Sequence, residues 1–78
     1  MSAPRRRALL LAAIRDFQGE WTTSRVQRLY RYHGYAVPMR KTCRDDLAQL
    51  ERQGLLIVHG PENARRYTLN HVTTGDAR

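Results

Sequence analysis

Residues 38–56 of this chain read PMRKTCRDDLAQLERQGLL, and that stretch predicts a helix, its stop and the strand that follows. Cys43, Leu47 and Leu50 recur at i, i+4 and i+7, the spacing that lines one face of an α-helix. Met39 and Asp46 fall at the margin of that stripe, whereas Arg40, Lys41, Arg44, Asp45, Ala48 and Arg52 face elsewhere. Pro38 suits the first turn of a helix, and Gly54 suits the residue just past its end. Leu55-Leu56-Ile57-Val58-His59 then has the composition of a short strand.

The order of charge along this helix is unusual. Arg40, Lys41 and Arg44 stand near its start, and Asp45, Asp46 and Glu51 follow. Cations in a first turn oppose the positive end of the helix dipole, each by roughly a few tenths of a kcal/mol. A helix selected only for stability places acids there. A polyanionic ligand supplies the missing countercharge.

Upstream, Leu10, Ile14 and Phe17 predict a first helix to about Gln18, with Leu11 and Ala13 flanking the stripe, Leu9 outside it and Gly19 as the stop. Residues 1–5 read as a flexible basic leader, and Arg5, Arg6 and Arg7 read equally as a mobile arm or as a solvated run. Glu20-Trp21-Thr22 is a candidate for a short extra strand. Thr23 or Ser24 caps a second helix that runs to about His33 before Gly34. Val26, Leu29, Tyr30 and His33 share its apolar face, so His33 is expected to be buried and hydrogen-bonded rather than catalytic. Arg28 and Arg31 lie opposite, with Arg25 and Tyr32 at the boundary.

Downstream, Gly60-Pro61-Glu62-Asn63-Ala64 carries turn chemistry, and Arg65 to Asn70 is the returning strand. Tyr67 and Leu69 alternate there with Arg66 and Thr68, which turns Arg66 away from the core. The expected organisation is a leader over 1–5, one domain over 6–70 and a flexible tail over 71–78.

Composition narrows the function classes. The 78 residues carry 14 Lys and Arg against 7 Asp and Glu, a net charge of +7 and a pI near 10.8. A pI above about 9 in so small a domain is the electrostatic footprint of nucleic-acid binding. A lone Cys43 excludes an intrachain disulfide, and His33, His59 and His71 lack metal-ligand spacing. No nucleophile stands in a catalytic motif and no glycine loop suits a phosphate, so the expectation is a protein that is not an enzyme, with no cofactor, metal or small-molecule ligand. The longest apolar run, Ala8 to Ile14, is too short to span a bilayer, and a cytoplasmic, nucleoid-associated location is the default.

The second and third helices are joined by only about four residues, as in a helix-turn-helix. Thr42, Cys43, Leu47, Leu50, Gly54, Leu55 and Leu56 together resemble the recognition helix and first wing strand of winged helix-turn-helix DNA-binding domains of the small prokaryotic, phage or plasmid regulator type. The resemblance spans roughly Arg7 to Asn70 and departs from the usual pattern at Met39 and Asp45. It implies an α+β fold of three helices and a two-stranded wing. It also implies sequence-specific binding to double-stranded DNA, transcription regulation, and a homodimer formed through the first helix, the N-terminal arm or the DNA itself. On that frame Arg40, Lys41 and Arg44, flanked by Thr42, are the base-contact candidates. Thr23, Ser24, Arg25, Arg28 and Tyr32 are the backbone-contact candidates, and Arg65 and Arg66, Arg66 first, are those of the wing. The rival readings are a winged helix that binds protein or RNA, and an architectural or recombination-accessory DNA-binding protein.

Overall fold

A computed structural model describes residues 3–35 and 40–71. In chain order it holds α1 (Ala3–Phe17), α2 (Thr23–Tyr32), α3 (Arg40–Arg52), β1 (Leu56–His59), a 3-10 turn (Glu62–Ala64) and β2 (Arg66–Leu69). Among the described residues these are three helices followed by a two-stranded antiparallel sheet, the α+β layout expected. Pro38 and Met39, and with them the expected opening of the third helix, lie outside the described residues, as does the tail beyond His71.

The core forms where the apolar stripes meet. Leu10 and Ile14 of α1, Val26 and Tyr30 of α2, Cys43 and Leu47 of α3 are fully buried, and Leu56, Tyr67 and Trp21 close the stack. Removing a side chain such as Leu47 is expected to destabilise the domain by about 2–5 kcal/mol, through lost transfer energy and the cavity left behind. In so small a domain that is a large share of the total stability.

Phe17 and His33 correct the helix reading. Phe17 continues the arithmetic stripe of α1 yet is 70 % exposed, because the chain turns left-handed at Gln18 (φ 45°) and Trp21 fills the core beside the helix end. His33 is exposed, not buried. It is the C-cap of α2, where its backbone leaves the helical path, and its ring meets Tyr32 edge-on.

Helix ends follow local chemistry. The cap of α2 is Thr22, one residue before the expected pair, and its hydroxyl accepts from the Arg25 amide at 3.3 Å. Gly54 (φ 81°) stops α3: its amide donates to the Glu51 carbonyl at 2.9 Å, and the Leu55 amide to Leu50 at 3.0 Å. This paired closure requires a left-handed residue at that position. The α1 helix begins at Ala3, so Ala3, Pro4 and Arg5 are helical and not part of a loose leader.

The hairpin is in register with Leu56 opposite Leu69 and Val58 opposite Tyr67. Trp21 adds a single antiparallel bridge on the far side of β2, its amide and carbonyl exchanging bonds of 2.8 and 2.9 Å with Tyr67. The extra strand near Trp21 is therefore one residue long. At the hairpin tip Gly60 (φ 85°) has no room for a side chain, since a Cβ there would lie 2.8 Å from the Ala64 carbonyl oxygen.

Candidate nucleic-acid interface

The start of α3 is exposed at Arg40, Lys41 and Arg44, while Thr42 is half-buried between them. Arg40 and Arg44 are one helical turn apart and line the same groove, an open depression of about 870 Å³. Its other walls are the start of α2, through Thr23 and Ser24, and the hairpin, through Arg65 and Arg66. The Arg40 guanidinium donates to the Ser24 hydroxyl at 3.2 Å, which ties the starts of α2 and α3 together across the groove. Four of the lining residues are arginines and one, Glu62, is an acid. The groove is thus strongly cationic.

Two anions modulate that face. Lys41 donates to the Asp45 carboxylate at 2.9 Å along the exposed helix surface, and this hydrogen bond holds the Asp45 carboxyl below the usual carboxylate range. The Arg66 guanidinium lies 3.3 Å from Glu20, an exposed contact that a stronger anion can replace. Arg66 is exposed and Tyr67 buried, as the strand alternation requires. Arg65, at the end of the 3-10 turn, is exposed as well.

The backbone-contact candidates divide. Thr23 and Ser24 sit on the cationic groove, whereas Arg28 and Tyr32 line the opposite flank of α2, beside α1. Arg25 is engaged inside the molecule. Its guanidinium stacks 3.9 Å from the Trp21 ring centroid and donates to the carbonyls of Gln18 at 3.2 Å and Glu20 at 2.8 Å. Those bonds give Arg25 a structural task, closing the link between α1 and α2.

The supposed basic arm has a task of its own. Arg6 donates to both carboxylate oxygens of Asp46, from Nε at 2.6 Å and from Nη2 at 2.9 Å. Arg7 adds an ion pair at 3.7 Å, and the Tyr30 hydroxyl donates to Asp46 at 2.7 Å. Asp46, read as a margin residue, is only 1 % exposed. A carboxylate so placed is tolerated only when paired and hydrogen-bonded. The hydrogen bond to Asp46 raises the Arg6 pKa; burial, then Asp46, raises that of Tyr30. Burial also pushes the Cys43 thiol up, which marks it as an unreactive core residue. The signal for this cluster was present: Asp46 stands three residues after Cys43 and four before Leu50, on the core stripe itself.

Compared with models of protein families, with curated proteins and with solved structures, the chain matches none. Among the described residues no helix is long and apolar enough to cross a membrane.

Proposed function

We propose that this chain is a winged helix-turn-helix protein that binds double-stranded DNA sequence-specifically and regulates transcription. In this reading α3 enters the major groove, with Arg40, Lys41 and Arg44 toward base edges and Thr42 at their flank. The hairpin lies on the backbone or minor groove through Arg66 and Arg65, and Thr23 and Ser24 at the start of α2 meet phosphate.

The observation that carries the proposal is the cationic groove itself. It brings together arginines from α3 and from the hairpin, segments more than twenty residues apart in sequence, around two helix starts whose first turns hold no acid. Helix starts and arginine forks are both suited to phosphate oxygens. A polyanion offsets the charge repulsion that the fold otherwise tolerates across that groove.

Duplex binding is therefore expected to weaken steeply with salt, because several phosphates are neutralised at once. A flat salt response, or no binding to any duplex at low salt, would sink the proposal. Selection from random duplexes, followed by Arg44→Ala and Arg66→Ala, separates the roles. Arg44→Ala is expected to relax the selected sequence, by roughly 1–3 kcal/mol of lost discrimination at one position, and Arg66→Ala, on the hairpin wall of the same groove, to weaken all duplexes alike. Strong duplex binding with no selected sequence would instead indicate an architectural role.

A further inference from the structure

Part of the cationic groove is unsuited to a phosphodiester backbone. Glu62 and Asn63, in the 3-10 turn of the hairpin, line it together with Arg40, Arg44, Arg65 and Arg66. Residues 60–64 at the hairpin tip carry no cation, and the Glu62 carboxylate repels phosphate. The groove is also concave. Its volume of about 870 Å³ falls in the range of sites that hold small molecules, roughly 300–1,000 Å³.

Four arginines against one glutamate leave an excess of three positive charges, drawn from α3 and from the hairpin. Their partners within the chain are weak. Arg40 donates to the Ser24 hydroxyl at 3.2 Å, and Arg66 meets Glu20 at 3.3 Å in an exposed pair. Among the described residues Arg44 and Arg65 have neither an ion pair nor a hydrogen bond. Guanidinium groups so placed can fork onto the oxygens of several phosphates. A carboxylate only accepts hydrogen bonds, so what Glu62 can take from the same ligand is a hydroxyl or an amino group. Phosphates joined to a ribose satisfy both ends, and the ribose 2′-hydroxyl is the donor that DNA lacks.

We propose that the groove also takes a free ribonucleoside polyphosphate. The arginines hold its phosphates, and Glu62, flanked by Asn63, accepts from its ribose hydroxyls. The bound nucleotide covers the arginines and so keeps a duplex from them. That exclusion rests on the proposed duplex binding, whereas nucleotide binding itself does not.

Calorimetric titration of the full chain, without magnesium, tests the two separately. ATP is expected to bind at about 0.15 M salt, with tripolyphosphate and dATP each about tenfold weaker, since the first lacks the ribose and the second its 2′-hydroxyl. Arg44→Ala is expected to weaken all three ligands by about tenfold. Glu62→Ala is expected to abolish the preference for ATP while tripolyphosphate binds as well or better. Both side chains are exposed, so the circular dichroism spectra are expected to match the wild type. ATP is also expected to displace a selected duplex at the concentrations that fill the groove. A chain that binds ATP in this way but no duplex upholds the nucleotide site and sinks the DNA proposal alone. No binding of ATP to the folded chain overturns the inference, whatever the duplex does. Equal affinity for ATP, dATP and tripolyphosphate also overturns it, as does binding of an RNA oligonucleotide where ATP fails. A duplex undisturbed by bound ATP overturns the exclusion.

Discussion

Arg6 in the first turns of α1 and Asp46 in the middle of α3 form a two-pronged ion pair, with bonds of 2.6 and 2.9 Å. It joins positions 40 residues apart, and the Tyr30 hydroxyl brings α2 to the same carboxylate at 2.7 Å. One buried acid therefore sets how all three helices meet. Because α3 carries the cations of the proposed interface, the pair also sets where those cations point.

Asp46→Ala is expected to destabilise the domain by about 3–5 kcal/mol, since it strands the Arg6 guanidinium and the buried Tyr30 hydroxyl. Replacing both partners with apolar residues, Asp46→Leu with Arg6→Met, is expected to recover most of that loss. Urea unfolding followed by circular dichroism distinguishes the two. A single Asp46→Ala variant as stable as the wild type would refute the role given to the pair.

Arg25 offers a contrast between folding and binding. Arg25→Ala removes the cation over Trp21 and two bonds to carbonyls near the end of α1, and is expected to lower stability by about 1–3 kcal/mol. Arg25→Lys is expected to recover only part of that loss, because an ammonium can reach the carbonyls but cannot stack flat on the indole. Measured where the variant remains folded, duplex affinity is expected to change less than for Arg66→Ala. Equal losses of affinity at the two positions, with stability unchanged at Arg25, would reverse the assignment.

Asp45 is an exposed anion on the cationic face of α3, and its carboxylate holds Lys41. Asp45→Asn is expected to raise affinity for random duplexes several-fold at low salt, by removing repulsion from the phosphates and freeing the Lys41 ammonium. A carboxylate accepts hydrogen bonds only, as from the amino group of cytosine. If Asp45 reads a base, the same variant loses preference at one position of the selected site. Fluorescence anisotropy on random and selected duplexes reports both effects. Lower affinity for random duplexes would show that Asp45 does not oppose the phosphates.

Alkali is expected to weaken the fold. Burial raises the pKa of the Cys43 thiol above its ordinary 9.0 and that of the Tyr30 phenol above its ordinary 10.0. Each folded-state group binds its proton more tightly than in the unfolded chain, so its contribution is complete below the unfolded value and is lost as pH rises. Unfolding free energy is thus expected to fall from about pH 9 upward. Tyr30→Phe is expected to start about 1 kcal/mol lower at neutral pH and to decline less steeply in alkali. Parallel slopes for the two proteins would argue against a titrating Tyr30.

What the sequence by itself determined about this protein is what short-range chemistry governs. The stripe of Cys43, Leu47 and Leu50, the stop at Gly54 and the alternation that buries Tyr67 and exposes Arg66 all depend on neighbours within about a turn or two of the chain. Those features set three helices and a hairpin in order. They failed where a local period reaches the last residue of its element, as at Phe17, or runs past it, as at His33; both stay in phase but outside the core. Only the tertiary structure decided the partners. The guanidinium of Arg6 binds Asp46, that of Arg25 covers Trp21, and Arg40 and Arg44 share a groove with Arg65 and Arg66. Thirteen of the chain's cations are arginines of one chemistry. Whether each holds the fold or faces outward depends on which carbonyl, ring or carboxylate packing brings within reach, and that information is distributed over the whole chain.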